Sequence, residues 1–514
     1  MRKAFLLILA FLMAVPLLNG QGERRIQYRA DMGYYDEEFL PGAQRLIGHV
    51  KFAQDNVVGF CDSAYLYDAD NFILAFGNPV RITVGDSVFL YGRTASYDGN
   101  GRQASIGKEV RLENHSAFLL TDSLFYNLNT DCGYYNTGGT IYNGADTLSS
   151  IVGRYYTRTD EAYLNVDVLL LSANYRVECD SLRYNASQKT AFFISPTKMN
   201  GKDNEIFTNN GYYNTETEVS TLHGRVSLVD KAQSLTADSV YYDKKLRFGR
   251  AWNNVVYVDT ANNFLLKGNY MEHYENGGTS MVTDSNMLVV IDENRDSLFL
   301  HCDTLLVDFD SAGSISLVRA YNRSKFYHKD LQGACDSISY VVADSTLTMF
   351  HNPVLWTDSY QMTADTIRFT SVDSTRSVIE LTDASFIIGS IYESTEFNQI
   401  KGLNIIGYIE DKELRAVDID GNAECVYFLQ EEDSTLVGIN TSITSRMLIM
   451  LDSNRIHQIR YYDAPDGQIY PDEQLGSRER ILKGFVWLEE YRPVKPADIF
   501  FKPVVRSRRS GEDD

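Results

Sequence analysis

The sequence predicts an all-β protein built of stacked antiparallel strands. Two observations favour this class: 34 Tyr and 26 Phe accompany 35 Gly and only 10 Pro, and a short phrase recurs ahead of alternating apolar residues. Aromatic residues favour strands, and glycines favour the turns between them. Because 514 residues exceed one ordinary hydrophobic core, we expect two or three domains or a long repetitive stack.

The first 20 residues have the pattern of a secretory signal peptide. A basic pair precedes an apolar run from Ala4 to Leu18, and the small residue Gly20 follows. This run is shorter than the ~20 residues that a membrane-spanning helix needs, and no later stretch approaches that length. We expect cleavage near Gly20 and export of a soluble chain. No Cys follows the apolar run, so we expect no lipid anchor.

The formal charge of −21 and the isoelectric point near 4.9 argue against a nucleic-acid partner. Binding to a phosphate backbone depends on clustered Lys and Arg. The acidity is the ordinary property of a protein that must keep a large strand surface soluble.

A phrase made of a small residue, Asp and then Ser or Thr leads seven predicted strands, and looser copies begin at Gly85, Ala145 and Thr283. The spacing of the copies varies from the twenties to the fifties of residues, which indicates a hairpin unit with loops of variable length. The clear copies are CDSAYLYD (61–68), TDSLFYNL (121–128), CDSLRYNA (179–186), ADSVYYDK (237–244), CDTLLVDF (302–309), CDSISYVV (335–342) and ADTIRFTS (364–371).

Within each copy, the residues two and four positions after the Asp are apolar or aromatic, whereas the residue between them varies. Side chains alternate between the faces of a strand, so the two apolar positions share one face, which we predict to be buried. Intervening residues such as Phe125, Arg183 and Tyr241 face outward. The predicted inward residues are Ala64, Leu66, Leu124, Tyr126, Leu182, Tyr184, Val240, Tyr242, Leu305, Val307, Ile338, Tyr340, Ile367 and Phe369.

Several copies are followed by a second strand marked by Asn, as in GNPVRI (77–82), WNNVVYV (252–258) and HNPVLW (351–356). This order predicts hairpins or meanders. Hairpins stacked edge to edge bury one shared apolar strip, as in solenoid-like arrays. Such a stack ends in unpaired strands that accept further strands, so we expect end-to-end association.

The cysteines favour buried free thiols over a disulfide framework. Four of the six occupy the slot before the Asp, where other copies place Gly, Thr or Ala, so the slot selects a small residue and Cys serves as a small hydrophobe. A disulfide between neighbouring copies remains the alternative, because stacked equivalent positions could come within bridging distance. Cys132 and Cys425 follow no repeat pattern. The four slot residues are Cys61, Cys179, Cys302 and Cys335.

No pattern in the chain predicts catalysis, a cofactor or a metal. The sequence contains no Cys-x-x-Cys or His-x-x-x-His spacing for zinc. The eight His residues are scattered, with no nucleophile motif beside them. A glycosidase needs one matched pair of carboxyl groups rather than one Asp per repeat. We expect the repeated Asp to accept hydrogen bonds from nearby backbone amides.

These features together resemble the OstA-like family, related to the periplasmic bridge proteins of lipopolysaccharide transport. The signal peptide, the Gly-x-Val strand openings IGHVKF (47–52) and HGRVSL (223–228), the small-Asp-Ser/Thr phrases and the Asn-marked hairpins carry the resemblance. Two C-terminal segments add to it. These are IKGLNIIGYIEDKELRAVDIDGNAECVYF (400–428) and ERILKGFVWLEEYRPVKPADIF (479–500).

The resemblance implies a β-jellyroll or V-shaped stack of antiparallel strands whose interior shelters the acyl chains of lipopolysaccharide. It implies that the inward residues from Leu124 to Phe369 line this groove. Other transport proteins would join at the terminal strand edges, and the chain would reside in the periplasm or at the outer membrane. The expected division is a signal peptide (1–20), a first stack (27–260), a second stack (261–395), a C-terminal OstA-like region (396–505) and a disordered acidic tail (506–514).

Three alternatives remain open. The apolar wall could be plain core, since every β-sandwich has one. The chain could be a structural or adhesive β-repeat protein at the cell surface. A polysaccharide-acting β-helix enzyme is a third class, but it would show nearly constant rung length and acids clustered in one groove, and the sequence shows neither.

Overall fold

The computed structural model describes residues 25–501 apart from 39–40, 116, 292–295, 358–359, 392–394, 412, 432–434, 453–454 and 478. The predicted signal peptide (1–20) and the predicted acidic tail (506–514) lie outside these residues. The described chain is nearly all antiparallel strand, which confirms the predicted all-β class. It divides into two compact units, Met1–Ala191 and Phe192–Asp514. The division into stacks at residues 260 and 395 stays a prediction.

The first unit is formed by strands that alternate in direction along the chain, with turns of a few residues between most of them. The strands are β1 (Gln27–Arg29), β2 (Met32–Tyr35), β3 (Gln44–Gln54), β4 (Val57–Tyr67), β5 (Phe72–Val84), β6 (Val88–Asp98), β7 (Gln103–Asn114), β8 (Ala117–Asn127), β9 (Cys132–Tyr135), β10 (Gly139–Asn143), β11 (Asp146–Ser150), β12 (Val152–Tyr156), β13 (Glu161–Leu171), β14 (Arg176–Asn185) and β15 (Thr190–Phe193), in which the division between the units falls.

The second unit continues the same construction, and its longest strands lie near the C-terminus. They are β16 (Thr197–Asn200), β17 (Asn204–Thr208), β18 (Asn210–Asn214), β19 (Val219–Asp230), β20 (Gln233–Asp243), β21 (Phe248–Asp259), β22 (Phe264–Tyr274), β23 (Thr279–Thr283), β24 (Met287–Ile291), β25 (Ser297–His301), β26 (Thr304–Phe309), β27 (Ile315–Tyr321), β28 (Ser324–Tyr327), β29 (Gln332–Cys335), β30 (Ser337–Val341), β31 (Thr346–Phe350), β32 (Val354–Trp356), β33 (Tyr360–Thr363), β34 (Thr366–Ser371), β35 (Arg376–Ile391), β36 (Glu396–Glu410), β37 (Glu413–Gln430), β38 (Leu436–Asp452), β39 (Arg455–Tyr462) and β40 (Asp466–Tyr470).

Short helical segments occur in the second unit. Single 3-10 turns lie at Glu275–Gly277, Asp472–Gln474 and Glu489–Tyr491, and a four-residue helix, α1, spans Asp498–Phe501. Across the described residues, no helix has both the length and the apolar character needed to cross a membrane.

Many long strands bend near their middle at a two-residue bulge with positive φ. In β21 these residues are Asn253 and Asn254, with φ of 57° and 52°, and the register with β22 shifts between Trp252 and Val255. Asn adopts this left-handed region more readily than most residues. Bulges bend a strand, so the two halves of each strand enter two different layers. The bend therefore explains the Asn-Asn pair that marks this strand in the sequence.

The Asp of the repeated phrase lies beside such a bend on the neighbouring strand. The carboxylate of Asp62 accepts a hydrogen bond from the backbone N–H of Asn78 at 3.0 Å. Asp238 instead accepts one from the side-chain amide of Asn254 at 2.8 Å. The predicted bond to a backbone amide is thus confirmed at Asp62, whereas at Asp238 the partner is a side chain.

The two layers of each unit enclose an apolar core. In the first unit, the rings of Phe52 and Tyr97 come from different layers and stack with centroids 6.4 Å apart. In the second unit, Phe264 and Phe309 also come from different layers, and their tilted rings have centroids 6.1 Å apart. Inward side chains of both layers therefore share the space between them.

The segment after β40 runs over the outer face of the second unit. The side chain of Gln361 fixes its backbone twice, by donating to the carbonyl oxygen of Val486 and accepting from the N–H of Leu488, both at 2.7 Å. Trp356 is fully buried in an apolar cluster against which Leu488 and Tyr491 pack. The outer face of β32 is apolar here because this segment excludes water from it.

Candidate functional site

Cross-strand pairing aligns the predicted inward residues of the second unit into two adjacent rows. Val240, Leu305, Ile338 and Ile367 come from four copies of the phrase that lie far apart in sequence. Pairing connects them through intermediate strands into one continuous row. In spatial order the row is Val240, Ala251, Met271, Val282, Leu305, Ala320, Ile338, Met349 and Ile367.

The second row lies two residues further along the same strands. It contains Tyr242, Val307, Tyr340 and Phe369, which are the positions four after the Asp in the same copies. Equivalent positions of the repeat are thus neighbours on one wall. The complete row is Tyr242, Gly249, His273, Ser280, Val307, Val318, Tyr340, Leu347 and Phe369.

The first unit has its own rows. Tyr126 and Tyr184 belong to one of them, through Gly133, Tyr155 and Ala162. In the neighbouring row, Leu182 pairs with Leu164, which pairs with Gly153. The ring of Tyr135 lies over Gly153, where a Cβ would come within 2.3 Å of it. Glycine is therefore needed at 153 to admit the tyrosine.

Burial separates the predicted inward residues into two groups. Those of the first unit are at most 2% exposed: Ala64, Leu66, Leu124, Tyr126, Leu182 and Tyr184. In the second unit three aromatic residues retain some solvent contact: Tyr242, Tyr340 and Phe369. The buried members of the second unit are Val240, Leu305, Val307, Ile338 and Ile367.

The residues predicted to face outward do so. Phe125, between Leu124 and Tyr126, is 49% exposed. Arg183 forms an ion pair with Glu161 at 2.8 Å on the outer surface. The period-two pattern of the phrase therefore assigned the two faces of these strands correctly.

Sequence reasoning missed the regular spacing of the inward tyrosines. Six of them follow one another at intervals of 29 residues, and four of these are buried in the first unit. The varying distances between copies of the Asp phrase obscured this period, which an interval count over Tyr alone would have found. The six are Tyr97, Tyr126, Tyr155, Tyr184, Tyr213 and Tyr242.

The interior disfavours charge. Burial raises the pKa of Tyr97 and of Tyr126 to about 12, although a hydrogen bond with Thr157 partly opposes the shift at Tyr126. Burial lowers the pKa of His273, whose Nδ1 lies 2.8 Å from the hydroxyl of Ser280. These side chains are neutral at pH 7, so the wall is suited to apolar matter.

The cysteines are all free thiols. Burial raises the pKa of Cys61 to about 11 and that of Cys302 to about 12. A thiol with a raised pKa is a poor nucleophile and metal ligand, because the thiolate is the reactive form. In the part of the chain that the structure describes, no group of three or more His, Cys, Asp and Glu side chains could hold a metal ion.

The chain matches a family model over its N-terminal part. Residues 25–180 and 174–238 match the family described as OstA-like protein. No curated protein matches the chain in sequence. One solved structure that matches is LptH of Pseudomonas aeruginosa, described as the LptA-homologous periplasmic component of the conserved lipopolysaccharide transport device. It is 16% identical, over 20% of this chain and 77% of that one, at a TM-score of 0.19, which carries no argument about the fold. Residues 25–238 of the chain are therefore similar to the OstA-like family.

Proposed function

We propose that the protein is a non-enzymatic periplasmic carrier that holds the acyl chains of lipopolysaccharide between its two β-layers on their way to the outer membrane. The OstA-like match of residues 25–238 supports this role. LptH, one of the solved structures that match, is titled a periplasmic component of the lipopolysaccharide transport device.

The observation that carries the proposal is the pair of continuous inner rows in the second unit. Leu305, Ile338 and Ile367 lie on one uninterrupted wall, although the first and the last are 62 positions apart in the chain. A wall of this kind removes lipid tails from water, which is favourable in proportion to the apolar area covered. The sugar and phosphate part of the lipid would stay in solvent.

Partners would join at the strand edges where each unit ends. In the first unit, β1 and β2 pair with β3 and present exposed Tyr28, Tyr34 and Tyr35. In the second, β39 and β40 both pair with β38. An outer strand readily accepts a further strand, so we propose that other transport proteins, or a second copy of the chain, dock there.

Photocrosslinking in living cells tests the function. A photoreactive amino acid at Tyr242 or Phe369, which are inward and partly exposed, should yield lipopolysaccharide adducts. The matched control is Tyr241, whose side chain points to the opposite face. Adducts of equal yield at Tyr241 and Tyr242, or none at any inward position, would contradict the carrier role.

The alternative is a structural or adhesive β-repeat protein at the cell surface. It is favoured if the exported chain is accessible to protease added outside intact cells and yields no lipid adduct. Cell fractionation of the same culture distinguishes the two, because the carrier should stay in the periplasm or with the outer membrane.

A further inference from the structure

The inner spaces of the two units differ at the strand ends furthest from the bends. In the first unit, tyrosines of one layer reach polar side chains at the strand ends of the other layer. The hydroxyl of Tyr97 donates to the side-chain oxygen of Gln54 at 2.7 Å. The amide nitrogen of Gln54 in turn donates to the carbonyl oxygen of Gly99 at 3.1 Å. Both side chains are buried.

A second set of such bonds surrounds Asn114, which is 1% exposed. Its amide nitrogen donates to the carbonyl oxygen of Thr157 at 2.8 Å, to the carboxylate of Asp160 at 2.6 Å and to the hydroxyl of Tyr155 at 3.3 Å. Asn114 ends β7 in one layer, while Tyr155 and Thr157 belong to the other. The bonds therefore connect the layers.

A third set involves Asn143 and Asp146, which flank the turn between β10 and β11. The amide nitrogen of Asn143 donates to the carbonyl oxygen of Ala186 at 2.6 Å and to the hydroxyl of Tyr184 at 3.0 Å. That hydroxyl donates to the carboxylate of Asp146 at 2.8 Å. We call the bonds centred on Gln54, Asn114 and Asn143 the closing bonds.

Tyr242, the last of the six tyrosines spaced 29 residues apart, makes a different contact. The hydroxyl of Tyr242 donates at 2.9 Å to the carboxylate of Glu275. Glu275 directly follows β22, and the half of β22 that precedes it lies in the same layer as Tyr242. This bond therefore runs along one layer, and it is exposed to solvent.

The inner wall also keeps some solvent contact at three further positions, on β19, β20 and β21. Leu228, Leu235 and Tyr257 are neighbours on β19, β20 and β21 and point inward, yet each retains solvent contact. Equivalent inward residues of the first unit are almost fully buried, as at Leu164 and Leu170. We call Leu228, Leu235, Tyr242 and Tyr257 the open stretch.

We propose that acyl chains enter the protein only at the open stretch of the second unit, and that the closing bonds keep the interior of the first unit free of lipid. This inference rests on the proposed carrier function. An acyl chain gains burial at the open stretch without prior separation of the layers. In the first unit it would have to displace packed side chains and leave buried amide and carboxylate groups without partners, which is costly.

The geometry favours an acyl chain over a peptide helix as the occupant. Facing β-layers pack roughly 10 Å apart, and much of that distance is filled by their own side chains. A helix is about 10–12 Å across and would not fit, whereas a single hydrocarbon chain is narrow enough. The acidic neighbours Asp230 and Glu275 disfavour a free anionic head group inside the slot, so the carboxylate or phosphate end must lie outside.

Photolabelling of the unmodified full chain tests the inference. The protein is incubated with a diazirine-labelled stearate in one sample and with diazirine-labelled lipopolysaccharide in another. After irradiation, the labelled peptides are identified by mass spectrometry. We expect adducts on peptides from residues 226–259 and none on inner residues of 97–184. Comparable labelling of both regions would overturn the inference but leave the carrier function standing. Absence of adducts everywhere would reject the carrier function itself.

Variants test the two parts separately. Leu235→Gln should keep the fold, because the site is already hydrated, and should lower labelling at 226–259 by about tenfold, the ratio that corresponds to burial of one leucine side chain. The double change Tyr155→Phe and Tyr184→Phe removes closing bonds but keeps both rings, so labelling should appear in the first unit. Tyr163→Phe, on the outer face, is the control. If labelling in the double variant stays confined to the second unit, the closing bonds are not what excludes lipid.

Discussion

The first unit and residues 219–260 of the second unit share a strand-and-bend construction but differ in how their layers meet. In the first, buried Gln54, Asn114 and Asn143 hold the layers together, and the inward side chains are out of contact with water. In the second, Leu228 and Leu235 point inward yet remain hydrated. A few polar residues at strand ends therefore decide whether the same fold is a closed core or an accessible wall.

The largest expected effect comes from a charge on the closed wall. Leu124→Asp should destabilise the first unit by at least ~3 kcal/mol, because an unpaired carboxylate would replace a fully buried side chain. Phe125→Asp, one residue away on the opposite face, should change stability by less than ~1 kcal/mol. Hydrogen exchange of first-unit amides under increasing urea measures both. Equal losses would mean that the two faces are not distinct.

Substitutions by Asp also distinguish the buried core from the accessible wall in the second unit. Val240 is 4% exposed, so Val240→Asp should unfold the surrounding strands and cannot by itself report on lipid. Leu235→Asp, on the same strand, should leave folding within ~1 kcal/mol and reduce lipopolysaccharide binding, because the charge can hydrate at this position. All three tryptophans, Trp252, Trp356 and Trp487, lie in the second unit, so their fluorescence follows its unfolding. Unchanged lipid binding in folded Leu235→Asp would remove this residue from the path.

Breaking a closing bond should have an intermediate effect. Asn143→Ala removes the donor to the Tyr184 hydroxyl and to the carbonyl oxygen of Ala186, which should destabilise the first unit by about 1–3 kcal/mol. Tyr242→Phe removes a solvent-exposed bond and should cost less than ~0.5 kcal/mol. Amide exchange in the first unit and tryptophan fluorescence in the second measure the two changes. A larger loss for Tyr242→Phe would contradict the distinction between the units.

Lowering the pH should reduce the stability of the second unit. Burial lowers the pKa of His273 and of His301 below the usual 6.5. As the pH falls below 6.5, the unfolded chain binds protons that the folded unit does not, so the free energy of unfolding falls. Between pH 7 and 5.5 the urea midpoint followed by tryptophan fluorescence should therefore decrease. His273→Asn should flatten the profile, and an unchanged profile in this variant would show that His273 does not contribute.

The smallest effect is expected from the thiols. Cys179→Ala in the first unit and Cys335→Ala in the second should each cost about 1 kcal/mol or less, since each removes one sulfur atom from a packed site. Reductant should change neither the parent nor the variants. A loss above ~2 kcal/mol that appears only under oxidising conditions would indicate a disulfide instead.

The strand class, the inward and outward faces and the structural role of Asp62 were predictable, because each depends on residues close in sequence. Period-two alternation placed Leu124 inward and Phe125 outward, and the structure agrees. The closing bonds were not predictable. Asn114 meets Thr157, 43 residues later, and no local pattern distinguishes this Asn from one in a turn. The sequence likewise did not predict that the segment after β40 covers the outer face of β32. This segment contacts Gln361, which is more than 120 residues away in sequence.

Local chemistry alone determines that this chain forms strands, where many of them bend and which side chains point between the layers. It does so because alternation, bulge-tolerant Asn and small residues act over a few positions. Whether an inward leucine is sealed or accessible was decided only by tertiary structure. The separation of the layers at each point depends on side chains from distant strands that meet there, as Asn143 meets Tyr184, and no residue carries that information by itself.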